Sequence, residues 1–63
     1  MRKSIEEIEE VENYAKQYFI DNGYGKKASE SGGVMVSVYF SQGYDLKKCF
    51  KKGIDYAREI QNR

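Results

Sequence analysis

Cys49 is the only cysteine in this chain of 63 residues, and the chain contains no histidine. A domain this short buries only about 60% of the surface of its unfolded chain, so it commonly depends on disulfides, metal ions or a second subunit. One thiol without histidine can form neither an intrachain disulfide nor a structural zinc site. The sequence therefore predicts a single domain, residues 1–63, that gains additional stability from oligomerisation or a partner.

The same lone cysteine is typical of a protein in a reducing, intracellular setting. Acidic residues follow the first basic residues where a signal peptide would have an apolar segment. The longest apolar run is only a few residues, whereas a membrane span needs about 20. We therefore expect a cytoplasmic protein that does not enter a membrane.

The first element is predicted to be a helix over about residues 4–22. Ser4 to Glu7 reads Ser-Ile-Glu-Glu, which matches the capping box at helix N-termini. Apolar residues then recur at helical spacing from Ile8 onwards. Asn22-Gly23 is typical of a helix C-terminus, where glycine adopts the left-handed conformation.

The middle of the chain is predicted to be a β-hairpin. Ser31-Gly32-Gly33 is the strongest turn signal in the sequence. Residues 34–40 alternate as a strand does, and residues 24–30 are a weaker strand that would pair with them across the turn. The two faces of the better strand would carry Val34, Val36, Val38 and Phe40 on one side and Met35, Ser37 and Tyr39 on the other.

A second helix is predicted over about residues 45–61, with Asp45 as its N-cap. Gly53 lies in the middle of its apolar stripe, where glycine costs about 1 kcal/mol relative to alanine. We expect close approach to a neighbouring element to compensate. The order α-β-β-α predicts a small α+β fold, with two helices on one face of a short antiparallel hairpin. No internal repeat is apparent.

The charges are segregated although the net charge is only +1. Residues 1–22 have three basic and six acidic residues, for a net charge of −3. Residues 23–63 have eight basic and four acidic residues, for a net charge of +4. Such asymmetry favours interaction with a charged partner.

Catalysis is not expected. Histidine, the most common general acid or base, is absent, so nucleophile–histidine arrangements cannot form. The glycines do not match a phosphate-binding loop, and a chain this small can hardly enclose a pocket of about 300 Å³. We predict a protein that is not an enzyme and uses no cofactor and no metal ion.

The first functional hypothesis is a small protein-binding module with a regulatory or inhibitory role. The candidate contact residues are acidic residues of the first helix and the open face of the hairpin, namely Glu6, Glu9, Glu10, Met35 and Tyr39. The unpaired strand edge could also form a homodimer. Short, charge-segregated chains are typical of phage and mobile-element genes, which suggests an inhibitor of a host enzyme or defence complex. A solvated face that suits a helix N-terminus is the simpler interpretation of the glutamates.

The alternative hypothesis is a nucleic-acid or phosphate-binding protein. Basic residues with neighbouring aromatics suit a phosphate backbone, and the second helix has such a basic face. The candidate residues are Tyr24, Lys26, Lys27, Lys47, Lys48, Lys51 and Lys52. A solvated lysine face is the simpler interpretation, since the pI of 7.8 is below the value of about 9 that is usual for such domains.

Overall fold

The computed structural model describes residues 3–63, which form a bundle of three α-helices joined by short turns. The helices are α1 (Ile5–Asp21), α2 (Lys26–Ser41) and α3 (Leu46–Gln61). Short connections of this kind join antiparallel neighbours, so α2 runs against α1 and α3, and the two outer helices are parallel. None of the helices within residues 3–63 has the length and apolar character needed to cross a bilayer.

The predicted hairpin is wrong, and with it the α+β fold in α-β-β-α order. Helix α2 covers both proposed strands, 24–30 and 34–40, apart from Tyr24 and Gly25, and residues 3–63 contain no strand. The valines alternate as in a strand, but the residues that α2 buries recur at helical spacing. Its buried residues are Ala28, Ser29, Gly32, Gly33, Val36 and Ser37. A homodimer through a strand edge is excluded for the described residues, since they have no such edge.

The valines of α2 show how the alternating pattern misled the prediction. Val36 is fully buried, whereas Val34 and Val38 are each 43% exposed, although all three were expected on one face. In a helix, successive residues are separated by about 100°, so residues two apart point in very different directions. The Ser31–Gly33 segment, predicted as a turn, lies inside the helix and supplies small residues to its buried side.

The predicted helix starts are confirmed by their capping bonds. The Glu7 backbone N–H donates to Ser4 Oγ, and the Ser4 N–H donates to Glu7 Oε1, both at 3.1 Å. At α3 the Lys48 N–H donates to Asp45 Oδ1 at 2.8 Å. Each cap satisfies a backbone donor that the helix itself leaves free.

Glycines bring the backbones of the three helices close together. A Cβ atom added to Gly33 would lie 3.1 Å from Lys16 N and 3.2 Å from Glu12 O in α1. One added to Gly53 would lie 2.9 Å from Gly32 O in α2. The expected close approach at Gly53 is therefore confirmed, and the neighbouring element is α2. These contacts fix α2 as the central helix, with α1 and α3 packed tightly on it.

The core is made mainly of small residues. Phe19 and Val36 are the largest fully buried hydrophobic side chains. Gly32 makes room for Phe19, whose ring carbon Cε2 lies 2.8 Å from the position that a Gly32 Cβ would take. The other buried hydrophobic residues are Ala15, Ala28, Cys49 and Ala57. Because so few large side chains are buried, much of the apolar surface remains accessible.

The two turns repeat the same structure at an interval of 20 residues, so the expectation of no internal repeat is wrong. Gly23 and Gly43 both have positive φ, 89° and 99°, and end their helices. Tyr24 and Tyr44 follow them, and each ring packs edge-to-face on the aromatic residue five positions earlier, with centroids 5.2 and 5.3 Å apart. The sequence signal is the Gly-Tyr pair that occurs twice.

The repeat continues into the helices that follow each turn. Ser29 Oγ donates to Tyr24 O at 3.4 Å, and Cys49 Sγ occupies the equivalent position 3.5 Å from Tyr44 O. Gly33 and Gly53, also 20 residues apart, are both packing glycines. Residues 19–33 and 39–53 are therefore two copies of one helix–turn–helix unit.

Candidate functional site

A groove opens between the parallel helices α1 and α3. The ring centroids of Tyr14 and Phe50 are 6.1 Å apart, which places these residues at the same height along the bundle. Near the other end, the Gly25 N–H donates to Gln61 Oε1 at 3.0 Å. Tyr14 and Phe50 are 36 residues apart, as are Glu10 and Leu46, which also lie together, so a residue of α1 lies at about the height of the α3 residue 36 positions later.

This α1–α3 groove is apolar and aromatic. Its volume is about 440 Å³, and the residues that line it are Glu10, Val11, Tyr14, Leu46 and Phe50. Tyr18 extends it, with its ring centroid 5.3 Å from that of Phe50. Tyr14 is 68% exposed and Leu46 47% exposed. The groove exists because both helices pack closely on α2, so that they meet each other mainly through aromatic side chains.

The two edges of the groove have opposite charges. On the α1 side, Glu10 lines the groove, and Asp21 lines a smaller depression that also contains Tyr14 and Tyr18. On the α3 side, the exposed residues that follow the lining positions at helical spacing are basic. These are Lys47, Lys51 and Arg58.

Within residues 3–63 these edge charges form no ion pair with each other. The ion pairs among residues 3–63 join Glu12 to Lys16 at 2.8 Å and Glu59 to Arg63 at 3.2 Å. Both pairs lie within a single helix, and neither includes a residue of the groove edges. The acidic and basic edges therefore remain available to charges on another molecule.

A second groove lies between α2 and α3, on the other flank of α3. Its volume is about 340 Å³, and its lining residues are Glu30, Ser31, Val34, Met35, Val38 and Tyr56. A neighbouring depression adds Tyr39 together with Lys52, Asp55 and Glu59. Unlike the α1–α3 groove, this second groove is bordered by acidic and basic residues from the same helix.

The residues predicted to bind a protein are divided between these surfaces. Glu10 lines the α1–α3 groove, whereas Met35 and Tyr39 are half-buried beside the α2–α3 groove. Glu6 is exposed one turn before Glu10, and Glu9 is exposed about 100° away around α1. The structure therefore does not bring the five residues into one surface.

The residues predicted to bind nucleic acid are also separated. Lys26 and Lys27 begin α2, and Lys47 and Lys48 begin α3, so the two pairs lie at opposite ends of antiparallel helices. A helix of 16 residues is about 24 Å long. Tyr24 is half-buried against Phe19. The basic residues that stay together are the four exposed lysines of α3, which are Lys47, Lys48, Lys51 and Lys52.

The titratable groups of the described residues form no recognisable reaction centre. Burial, followed by the charge of Asp45, raises the pKa of the Cys49 thiol above its ordinary value. Hydrogen bonds from Ser4 lower the pKa of Glu7, a capping residue outside both grooves. Within residues 3–63 no three metal-ligating side chains come together. Chemically, the α1–α3 groove is an apolar contact surface between two charged edges.

The apolar residues of the groove walls were not among the predicted contact residues, because they belong to the apolar stripes of the two outer helices. The signal was the width of the apolar stripe of α1. Val11, Tyr14 and Tyr18 follow one another at helical spacing beside the buried pair Ala15 and Phe19. A helix that packs on one neighbour needs only an apolar stripe wide enough to cover that contact. The additional apolar residues of α1 indicate a second apolar contact.

Searches against protein-family models, curated proteins and solved structures find no match to this chain.

Proposed function

We propose that this chain is a non-catalytic protein-binding module whose contact surface is the α1–α3 groove. The observation that supports the proposal is the continuous apolar and aromatic wall formed by two parallel helices. Tyr14 and Leu46, on opposite walls, are 68% and 47% exposed. Contiguous exposed apolar surface with a polar rim is typical of sites that bind another polypeptide chain.

The composition of the groove favours a protein over nucleic acid. Tyrosine and phenylalanine are enriched in protein interfaces, and charged residues are moved to the rim, as they are here. Glu10 would repel a phosphate backbone in the groove. Of the lysines predicted to bind phosphate, Lys26 and Lys27 lie at the opposite end of the bundle from Lys47 and Lys48, which leaves the four lysines of α3 as one patch.

The same proposal includes a regulatory or inhibitory role. A groove without an acid–base pair or a metal cluster acts by occupying a surface of its partner, which blocks or tethers that partner. The origin in a phage or mobile element, and a host enzyme or defence complex as target, belong to this proposal as well. The buried single cysteine supports a cytoplasmic setting, where thiols stay reduced.

The experiment is selection of a displayed library of amphipathic helical peptides on the immobilised chain. Tyr14→Arg and Leu46→Arg place a charge on each wall of the groove. Val38→Arg is the matched control, because Val38 is 43% exposed, close to the 47% of Leu46, but lies on α2. Circular dichroism melts first establish that all three variants fold.

Selected peptides that bind the wild type and the control, but neither groove variant, would support the proposal. Failure of a monomeric chain to select any peptide, or peptides that bind all variants equally, would overturn it. A mixed-sequence oligonucleotide is tested in parallel at low salt. Salt-dependent binding that is lost when Lys47 and Lys48 become alanine would favour the nucleic-acid hypothesis instead.

A further inference from the structure

The α1–α3 groove is complementary to itself. Its α1 edge is acidic at Glu10 and Asp21, and its α3 edge is basic at Lys47, Lys51 and Arg58. A surface that has both charges, on opposite sides of an apolar centre, fulfils the first requirement for an isologous interface. In such an interface the same patch is used by both subunits.

The positions of the charges select one of the two symmetric arrangements. When two grooves face each other, a twofold axis parallel to the helices places α1 of each copy over α3 of the other. A twofold axis across the helices would place α1 over α1 and α3 over α3. The second arrangement sets acidic edge against acidic edge and is disfavoured by repulsion.

The heights of the charged residues fit the parallel axis as well. Such an axis preserves height, and Glu10 lies at about the height of Leu46, as Tyr14 does of Phe50. Glu10 of one copy would therefore face Leu46 and Lys47 of the other. Asp21 would face Arg58. Tyr14 would lie against Phe50 of the other copy at the centre.

We propose that the occupant of the α1–α3 groove is a second copy of this chain, related by a twofold axis parallel to the helices. This inference rests on the proposed function, since it names the partner of the same groove. It replaces the strand-edge dimer, which the helical structure excludes, by an interface of two helices from each copy.

The available area is sufficient for a stable dimer. A standard interface buries about 800 Å² on each partner. The accessible surface of this chain is 4627 Å², so that area is roughly one-sixth of the total. The bundle measures 36 × 17 × 15 Å, and one long side provides a share of that order. The dimer would also cover Tyr14, Tyr18 and Leu46, which the small core leaves exposed.

Sedimentation equilibrium over a wide range of concentrations is the first test. We expect the wild type to approach twice the 7.3 kDa mass of one chain. Leu46→Arg should weaken the dimer by at least about 100-fold, because it places one charge from each copy in the desolvated centre. Val38→Arg should leave dimerisation unchanged.

A charge exchange tests the orientation. Glu10→Lys alone should weaken the dimer about 2- to 30-fold, since the exposed pair with Lys47 occurs twice in the interface. Adding Lys47→Glu should restore the wild-type affinity. In a mixture of isotopically light and heavy chains, zero-length cross-linking should join α1 of one copy to α3 of the other.

The outcomes separate this inference from the proposed function. A chain that remains monomeric but binds helical peptides in the groove would overturn the dimer and leave the protein-binding function standing. A dimer that survives Leu46→Arg, or lacks cross-links between α1 and α3, would also overturn it. A monomer that binds no peptide would overturn both.

Discussion

Gly53→Ala is the substitution that best tests the packing of the bundle. In a solvent-exposed helix this change stabilises a protein by about 1 kcal/mol, because glycine has more conformational freedom to lose. Here the added Cβ would lie 2.9 Å from the backbone oxygen of Gly32 and closer still to Val36 Cγ2. The neighbour at 2.9 Å is backbone, so a rotamer change cannot relieve the contact and α3 must move away from α2.

Overpacking of a tight core costs about 1–3 kcal/mol. The contact with backbone places Gly53→Ala in the upper part of that range. After the gain in helix propensity is subtracted, we expect a net loss of about 1–2 kcal/mol in the free energy of unfolding. For a domain of this size the melting temperature should fall by roughly 5–15 °C. Thermal and urea unfolding followed by circular dichroism measure both quantities.

Two further variants isolate the cause. Asn13→Ala, at an exposed position of α1, reports the propensity term alone and should stabilise by roughly 0.5 kcal/mol. Val36→Ala combined with Gly53→Ala removes the side-chain part of the clash. The double variant should be less destabilised than the sum of the single ones, by about 1 kcal/mol. If Gly53→Ala raises stability as Asn13→Ala does, the helices are not in contact at this position and the reasoning fails.

Three other predictions concern the turns, the first cap and the thiol. Gly43→Ala should lower the free energy of unfolding by about 1–2 kcal/mol, because φ at Gly43 is 99°, although no atom lies near the position of the added Cβ. An unchanged midpoint in urea unfolding would contradict this. Hydrogen bonds from Ser4 lower the pKa of Glu7 below its ordinary value of 4.5. These bonds therefore stabilise the folded state above pH 4.5, and the stabilisation is lost as the pH falls through the pKa of Glu7 in the folded state. Melts against pH should therefore show Glu7→Gln closest to the wild type in acid, and a constant difference would refute the linkage. Cys49 is buried, so it should react with a thiol reagent only as fast as the chain opens, and rapid labelling of the folded chain would contradict this. Cys49→Ser should cost about 1 kcal/mol or less in the free energy of unfolding, because Ser29 occupies the equivalent position in the first turn.

The outer helices could be predicted from the sequence because their signals are local. Ser4 and Asp45 each bond a backbone N–H three residues later, so four residues contain the whole signal. The central helix could not be predicted in this way. Valines at alternate positions and a Ser-Gly-Gly segment favour a hairpin locally, and only packing against two neighbours makes small residues favourable inside a helix. Gly33 and Gly53 have no side chain and so allow the adjacent helix to approach closely, an effect that depends on the position of that helix.

The candidate site was predictable only in part for the same reason. Glu10 was selected for its charge, and it does line the groove. Tyr14 and Leu46 were not among the predicted contact residues, because a hydrophobic stripe does not show which of its members a neighbour will cover. That distinction depends on the distance between α1 and α3, and α2 determines this distance through residues far away in the sequence.

The repeated turn also describes how such a chain can change its length. Each unit contains its own stop signal, its aromatic pair and the packing glycine of the next helix, so a further unit could be inserted without redesigning the existing turns. Insertion of one unit would add a helix antiparallel to α3, and loss of one would remove a helix without altering the remaining turn. The length of this architecture would thus change in units of one helix and one turn. Relatives should differ in length by multiples of about 20 residues, with Gly-Tyr at every junction.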